Sequence, residues 1–101
     1  MTLFSDKFNR LQAVSREKKY QLFLKVINPK KNEIILDLGC GTGKFLEEKY
    51  PYKENIIAFD INKSSLNELH KKYPKIKIIQ GSALKLPFED KSIDIIFSNA
   101  V

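Results

Sequence analysis

At 101 residues the chain has room for one domain, and 43% hydrophobic with 30% charged residues is the balance of an ordinary folded protein. No stretch is apolar for long enough to span a bilayer, and the single cysteine, Cys40, excludes an internal disulfide and fits a reducing cytoplasm. The net charge of +6 comes from lysines scattered along the chain with little arginine, which reads as solvated surface charge rather than a nucleic-acid interface.

The opening MTLFSDKFNRLQ mixes acid and base without an apolar run, so it does not read as a secretory signal. Phe4, Phe8 and Leu11 recur at helical spacing, and Tyr20, Phe23, Leu24 and Ile27 repeat the i, i+3, i+4, i+7 pattern. The second stripe reads as core, with a lid over a site as the alternative. Asn28-Pro29 ends it, because proline lacks an N–H and pushes its predecessor out of the helical region. Residues 1–28 thus form a helical lead-in, and 29–101 a strand–helix alternation.

Four isoleucine-rich runs follow: Glu33–Leu38, Asn55–Asp60, Lys75–Gln80 and Ser92–Ser98. Their length and β-branched content predict strands, three of them apolar enough to be covered on both faces. A short helix, Lys44 to Tyr50, closed by Pro51, separates the first pair. A longer one, Ser64 to Tyr73, closed by Pro74 and capped by Asn62 or Ser64, separates the second and third. Such alternation requires right-handed crossovers and a parallel sheet. In the third run Lys75 and Lys77 alternate with Ile76 and Ile78, the charge pattern of a guarded edge strand.

All four glycines fall at strand ends. Three lie in Asp37-Leu38-Gly39-Cys40-Gly41-Thr42-Gly43, between the first strand and a helix, where glycine permits a sharp turn and close approach of a ligand to backbone N–H groups. A tight turn alone would need only one. The dinucleotide fingerprint G-x-G-x-x-G fails at Lys44, which disfavours an NAD-binding fragment, and the P-loop pattern fails because Phe45 follows Gly43-Lys44. The second strand ends at Asp60, about 20 residues past the loop, where a carboxylate can accept from both hydroxyls of a ribose. Its competing role, capping the next helix, can be filled by Asn62 or Ser64. His70 lies among lysines in a helix and reads as a surface residue, and Cys40 as a packing residue. One histidine and one cysteine leave no metal cluster, and no catalytic residue is legible.

Ile34-Ile35-Leu36-Asp37-Leu38-Gly39-Cys40-Gly41-Thr42-Gly43 resembles the first signature of class I S-adenosylmethionine-dependent methyltransferases. Asp60 stands where that family keeps its ribose acid. Gly81-Ser82-Ala83 and Leu86-Pro87-Phe88-Glu89-Asp90-Lys91-Ser92-Ile93-Asp94 resemble the stretch that marks the type 11 group, related to the quinone-biosynthesis C-methyltransferases. The resemblance implies a Rossmann-like three-layer αβα fold with parallel strands in the order 3-2-1-4, preceded by N-terminal helices. It also implies S-adenosylmethionine as cofactor and a small-molecule or lipid methyl acceptor. Carried over by position, Gly39, Cys40 and Gly41 would lie against the methionine and ribose, with Asp37 near the methionine amino group. Asp60 would bind the ribose hydroxyls, Ile61 would flank the adenine, Ser82 and Ala83 would meet its edge, and Asn99 would lie near the sulfonium. Ser82 replaces the aspartate usual in the family, a weaker acceptor for lack of charge.

Family members continue past the fourth strand, so the expectation is a truncated chain without the C-terminal half of the usual seven-stranded sheet. Ile93, Ile95, Ile96 and Phe97 would then lie on a bare edge, open to a partner chain or to self-association. A cofactor-binding module that transfers nothing without a partner chain is the alternative to a methyltransferase. Ser98-Asn99-Ala100-Val101 is unlike the Asn-Pro-Pro-Tyr segment of enzymes that methylate nucleic-acid amino groups, so a nucleic-acid acceptor is not indicated.

Overall fold

The isoleucine-rich runs fold as one parallel sheet in a computed structural model that describes residues 2–3, 16–43, 45–82, 84–88 and 92–98. In chain order the elements are β1 (Thr2–Leu3), α1 (Arg16–Ile27), β2 (Ile35–Leu38), α2 (Leu46–Lys49), a 3-10 turn (Lys53–Asn55), β3 (Ile56–Asp60), α3 (Lys63–Lys72), β4 (Lys77–Gln80) and β5 (Ile95–Ser98). The sheet runs β1-β5-β2-β3-β4, so the four runs take the expected order 3-2-1-4 and the lysine-guarded strand is an edge. The stripe of Phe4, Phe8 and Leu11 lies outside the described residues.

One expectation is corrected at the other edge. The fourth run is not bare, because Thr2 and Leu3 pair in parallel with Ile95 and Ile96. The backbone groups of β5 that face away from β2 thus find partners in the first residues of the chain.

Strands start later than their apolar runs because the ladder needs partners on both sides. Ile35 is the first residue of β2 in register with both Ile56 and Ile95. Just before it, Ile34 N–H donates to Asp94 Oδ2 at 2.8 Å, and Asp94 N–H donates to Ile34 O at 3.0 Å. A side chain replaces the ladder there, which explains the aspartate at the head of β5.

Strand alternation sorts the apolar residues onto two faces. Ile35, Ile56, Ala58, Ile95 and Phe97 share a cluster with Tyr20 and Phe23 of α1, Leu46 of α2, and Leu66 and Leu69 of α3. Phe45 stacks on Phe97 at 4.8 Å, and Phe23 meets Phe97 edge-on at 5.9 Å. The second stripe is therefore core. On the other face Leu36, Phe59, Ile93 and Ile96 are covered by Leu86 and Phe88 from the segment between β4 and β5. Each fully buried Phe, Leu or Ile contributes about 1.5–3 kcal/mol.

Helix ends follow local chemistry. Asn28 ends α1 at φ +49°, a left-handed cap that asparagine tolerates, rather than the extended conformation usual before proline. Asn62 caps α3, its side chain accepting from Ser65 N–H at 3.1 Å. The short α2 is confined to four residues before Pro51, and Tyr50 N–H closes it on Leu46 O at 2.8 Å. Among the described residues no helix is long and apolar enough to cross a membrane.

Candidate functional site

Where β2 ends, the chain turns over the tip of β3. Gly39 N–H donates to Phe59 O at 2.7 Å, and Cys40 N–H reaches the same carbonyl at 3.3 Å. Gly39, Gly41 and Gly43 all take positive φ, between 58° and 80°, the region that only glycine enters freely. Gly43 has a packing reason as well: a Cβ there would lie 2.8 Å from Leu69 Cδ1 and 2.9 Å from Glu47 Cβ. Gly41 is the opposite case, with nothing within 4 Å of the position its Cβ would take. One glycine lets the helices close up and another leaves an open approach to the backbone.

Asp60, at the tip of β3, ties this loop down. Its Oδ2 accepts from Gly41 N–H at 2.9 Å, and its Oδ1 accepts from Asn62 N–H at 2.9 Å. Each carboxylate oxygen has a second lone pair, so the half-buried group can accept further hydrogen bonds from a ligand.

A cleft of about 430 Å³ opens beside it, lined by Leu38, Gly39, Phe59, Asp60, Ile61, Gly81, Ser82 and Ser98. It lies at the carboxyl ends of β2 to β5, where open parallel sheets bind ligands. Gly81 lets the wall fit, since a Cβ there would come within 2.8 Å of Phe59 Cζ. Ile61 stands 71% exposed at the mouth, and Gln80 Nε2 donates to its carbonyl at 3.1 Å. Ser82 Oγ already accepts from Leu84 N–H at 3.2 Å, which leaves its own O–H to donate.

Of the residues expected from sequence, Gly39, Asp60, Ile61 and Ser82 meet in the cleft, and Gly41 joins through its bond to Asp60. Asp37 does not line it: the side chain is 2% exposed, packed behind the loop. Cys40 is half-buried beside the helical cluster, its thiol donating weakly to Gly41 O at 3.5 Å. Burial, with the carboxyls of Asp37, Glu47 and Asp60 adding to it, pushes that thiol far above its usual range, the environment of a packing residue. Ala83 and Asn99 lie outside the described residues.

Sequence reasoning missed Leu38, Phe59 and Ser98, which line the cleft only because strand tips converge there. It also missed Glu47, fully buried on α2. Asp37 Oδ1 and both Glu47 oxygens have no hydrogen-bond partner. Burial first, then the charge of Glu47, its hydrogen-bonding reach and the charge of Asp60, hold the Asp37 carboxyl well above the usual carboxylate range. Among the described residues no His, Cys, Asp and Glu side chains converge as a metal site requires.

A parallel sheet with a glycine loop after one strand and a carboxylate at the tip of the next is a Rossmann-like arrangement. The family described as a methyltransferase domain matches residues 35–101, and the chain belongs to it. It is 31% identical, over 90% of its length, to a demethylmenaquinone methyltransferase of Lactobacillus johnsonii, covering 41% of that protein. It is 32% identical, over 96% of its length, to a malonyl-[acyl-carrier protein] O-methyltransferase of Legionella pneumophila, covering 36% of it. Among solved structures, the YcgJ protein of Bacillus subtilis superposes with a TM-score of 0.69 at 28% identity, over 81% of this chain and 37% of that one. The chain thus spans about two fifths or less of the length of these proteins.

Proposed function

We propose that the chain is the S-adenosylmethionine-binding part of a cytoplasmic methyltransferase acting on a small-molecule or lipid acceptor. The observation that carries this reading is Asp60, which fixes the glycine loop through Gly41 while keeping free lone pairs at the cleft mouth. The residues fit the cofactor in other respects: the backbone at Gly41 is open, Ile61 offers an apolar flank to a base, and Asp37 has an orphaned acceptor behind the loop. The proteins similar to it, named for a demethylmenaquinone and a carrier-bound malonyl group, support the acceptor class.

The bound cofactor supplies an already activated methyl group. The protein's contribution is therefore to bind and orient. With the cofactor bound, Asp60 would accept from the ribose hydroxyls, the open backbone at Gly41 would lie against the methionine and ribose portions, Ile61 would flank the adenine, and Ser82 would meet its edge. Ala83 and Asn99 keep the roles the family resemblance gives them, at the adenine and the sulfonium.

A second reading, a cofactor-holding module that does not itself transfer, rests on the cleft lining. Among the described residues that line it, Asp60 is the sole titratable side chain, and it is already committed to two backbone N–H groups.

Calorimetric titration with S-adenosylhomocysteine tests the cofactor. Micromolar affinity, about −8 kcal/mol, without competition from NAD is the expected result. Asp60→Ala should weaken binding about 100-fold, the loss of two charge-assisted hydrogen bonds. Asp60→Asn, which keeps one carbonyl acceptor and the loop anchor, should fall between. Unchanged affinity in a folded Asp60→Ala protein would overturn the assignment.

A further inference from the structure

Three large apolar side chains stand exposed among the described residues: Val26 at 48%, Ile61 at 71% and Leu84 at 98%. Val26 lies in the last turn of α1, and one exposed aliphatic group by itself calls for no explanation. The other two fall on neighbouring loops at the cleft. β3 and β4 are paired in register up to Asp60 and Gln80. Ile61 leaves the tip of the first and Leu84 follows the tip of the second, on strands about 4.8 Å apart. Both backbones are held in place. Gln80 Nε2 donates to Ile61 O at 3.1 Å. Leu84 N–H donates to Ser82 Oγ at 3.2 Å and Lys85 N–H to Ser82 O at 3.1 Å, a turn that keeps the leucine in solvent.

Each apolar tip is followed by an exposed lysine, Lys63 two residues after Ile61 and Lys85 next to Leu84. Lys63 opens α3 in a first turn that holds no acidic residue, at the helix end whose dipole disfavours a cation. A leucine in full solvent and a lysine on a positive helix end both go against local preference, and they do so at one rim of the cleft. An anionic bilayer surface answers both. Aliphatic side chains enter the boundary between headgroups and acyl chains, while lysines keep their ammoniums among the phosphates. A protein partner fits less well, because protein interfaces are depleted in lysine. The net charge of +6 favours the same encounter.

We propose that the loops after β3 and β4 form a membrane-contact rim, in which Leu84 and Ile61 enter an anionic bilayer and Lys63 and Lys85 meet its phosphates. The cleft mouth then opens onto the bilayer, which narrows the methyl acceptor to a membrane lipid. That consequence rests on the cleft being an S-adenosylmethionine site; the membrane contact does not.

Sedimentation of the full chain with vesicles of equal parts phosphatidylglycerol and phosphatidylcholine, against vesicles of phosphatidylcholine alone, tests the contact. Binding to the anionic vesicles and far less to the neutral ones is expected. Leu84→Asp should weaken it about tenfold or more. Lys63→Ala and Lys85→Ala should weaken it about fivefold each. None of these three side chains lines the cleft, so affinity for S-adenosylhomocysteine, measured without vesicles, should stay unchanged in all three variants. No binding to anionic vesicles by a folded chain would overturn the proposal. So would binding that survives Leu84→Asp but is lost in Lys71→Glu and Lys75→Glu, exposed positions at and beyond the far end of α3. Vesicle binding by a chain that does not take up S-adenosylhomocysteine would support the rim while removing the cofactor reading and the lipid acceptor with it.

Discussion

The two ends of the sheet follow different rules. At the amino ends of the strands, polar groups find local partners: Lys30 N–H donates to Glu33 Oε1 at 2.7 Å, Ile34 is held by Asp94, and Lys53 Nζ donates to Tyr50 O at 2.9 Å. Lysine ammoniums also sit over tyrosine rings, Lys31 on Tyr52 at 5.6 Å and Lys53 on Tyr73 at 5.2 Å. At the carboxyl ends three glycines take positive φ, and three oxygens of two buried carboxyls lack hydrogen-bond partners. The same sheet supports both, so the difference reflects what each end is for. Local conflict gathers at the end where the proposed cofactor site lies, and local agreement holds the other end together. The exception at the amino end is the Tyr50 hydroxyl, buried and unpartnered.

Substitutions can break this comparison, beginning with the largest effect. Gly43→Ala combines a positive φ with a clash against Leu69 and should cost about 3 kcal/mol in denaturant unfolding. Gly41→Ala, strained in φ but open around its Cβ, should cost only about 1 kcal/mol. Equal costs would mean that packing does not distinguish the two glycines.

Asp37→Asn comes next. Because the folded carboxyl titrates well above its unfolded range, the folded state binds the extra proton. Stability is then greatest below the unfolded pKa of about 4 and declines as pH rises toward the folded one, by at most about 1.4 kcal/mol per pH unit. Asp37→Asn should remove that slope and raise the unfolding midpoint at neutral pH while weakening S-adenosylhomocysteine binding. A wild-type stability that rises with pH above 4 would contradict the raised pKa. The smallest effect belongs to Tyr50→Phe, which removes an orphaned hydroxyl and should stabilise by about 1 kcal/mol with no change in ligand affinity. A loss of affinity there would mean the two ends are not independent.

The sheet was legible because its strands carry uninterrupted isoleucine runs between proline and glycine punctuation. Only their starts were misplaced, since register with two neighbours, absent from local pattern, decides where β2 and β5 begin. Of the site, Gly39, Gly41 and Asp60 were legible from spacing, because a turn and a strand tip are local features. Glu47 was not. In Leu46-Glu47-Glu48 the two glutamates look alike, and only the way α2 packs on β2 sends one to full burial and leaves the other exposed. Nor was β1, two residues with no period to detect.

That small strand has a kinetic consequence. Thr2 and Leu3 pair with Ile95 and Ile96, residues far apart in sequence, so closing this edge carries a large loop-closure entropy. Such a contact of high order is favoured to form late, on a sheet already assembled. During synthesis Thr2 and Leu3 must therefore wait for this pairing until β5 has left the ribosome.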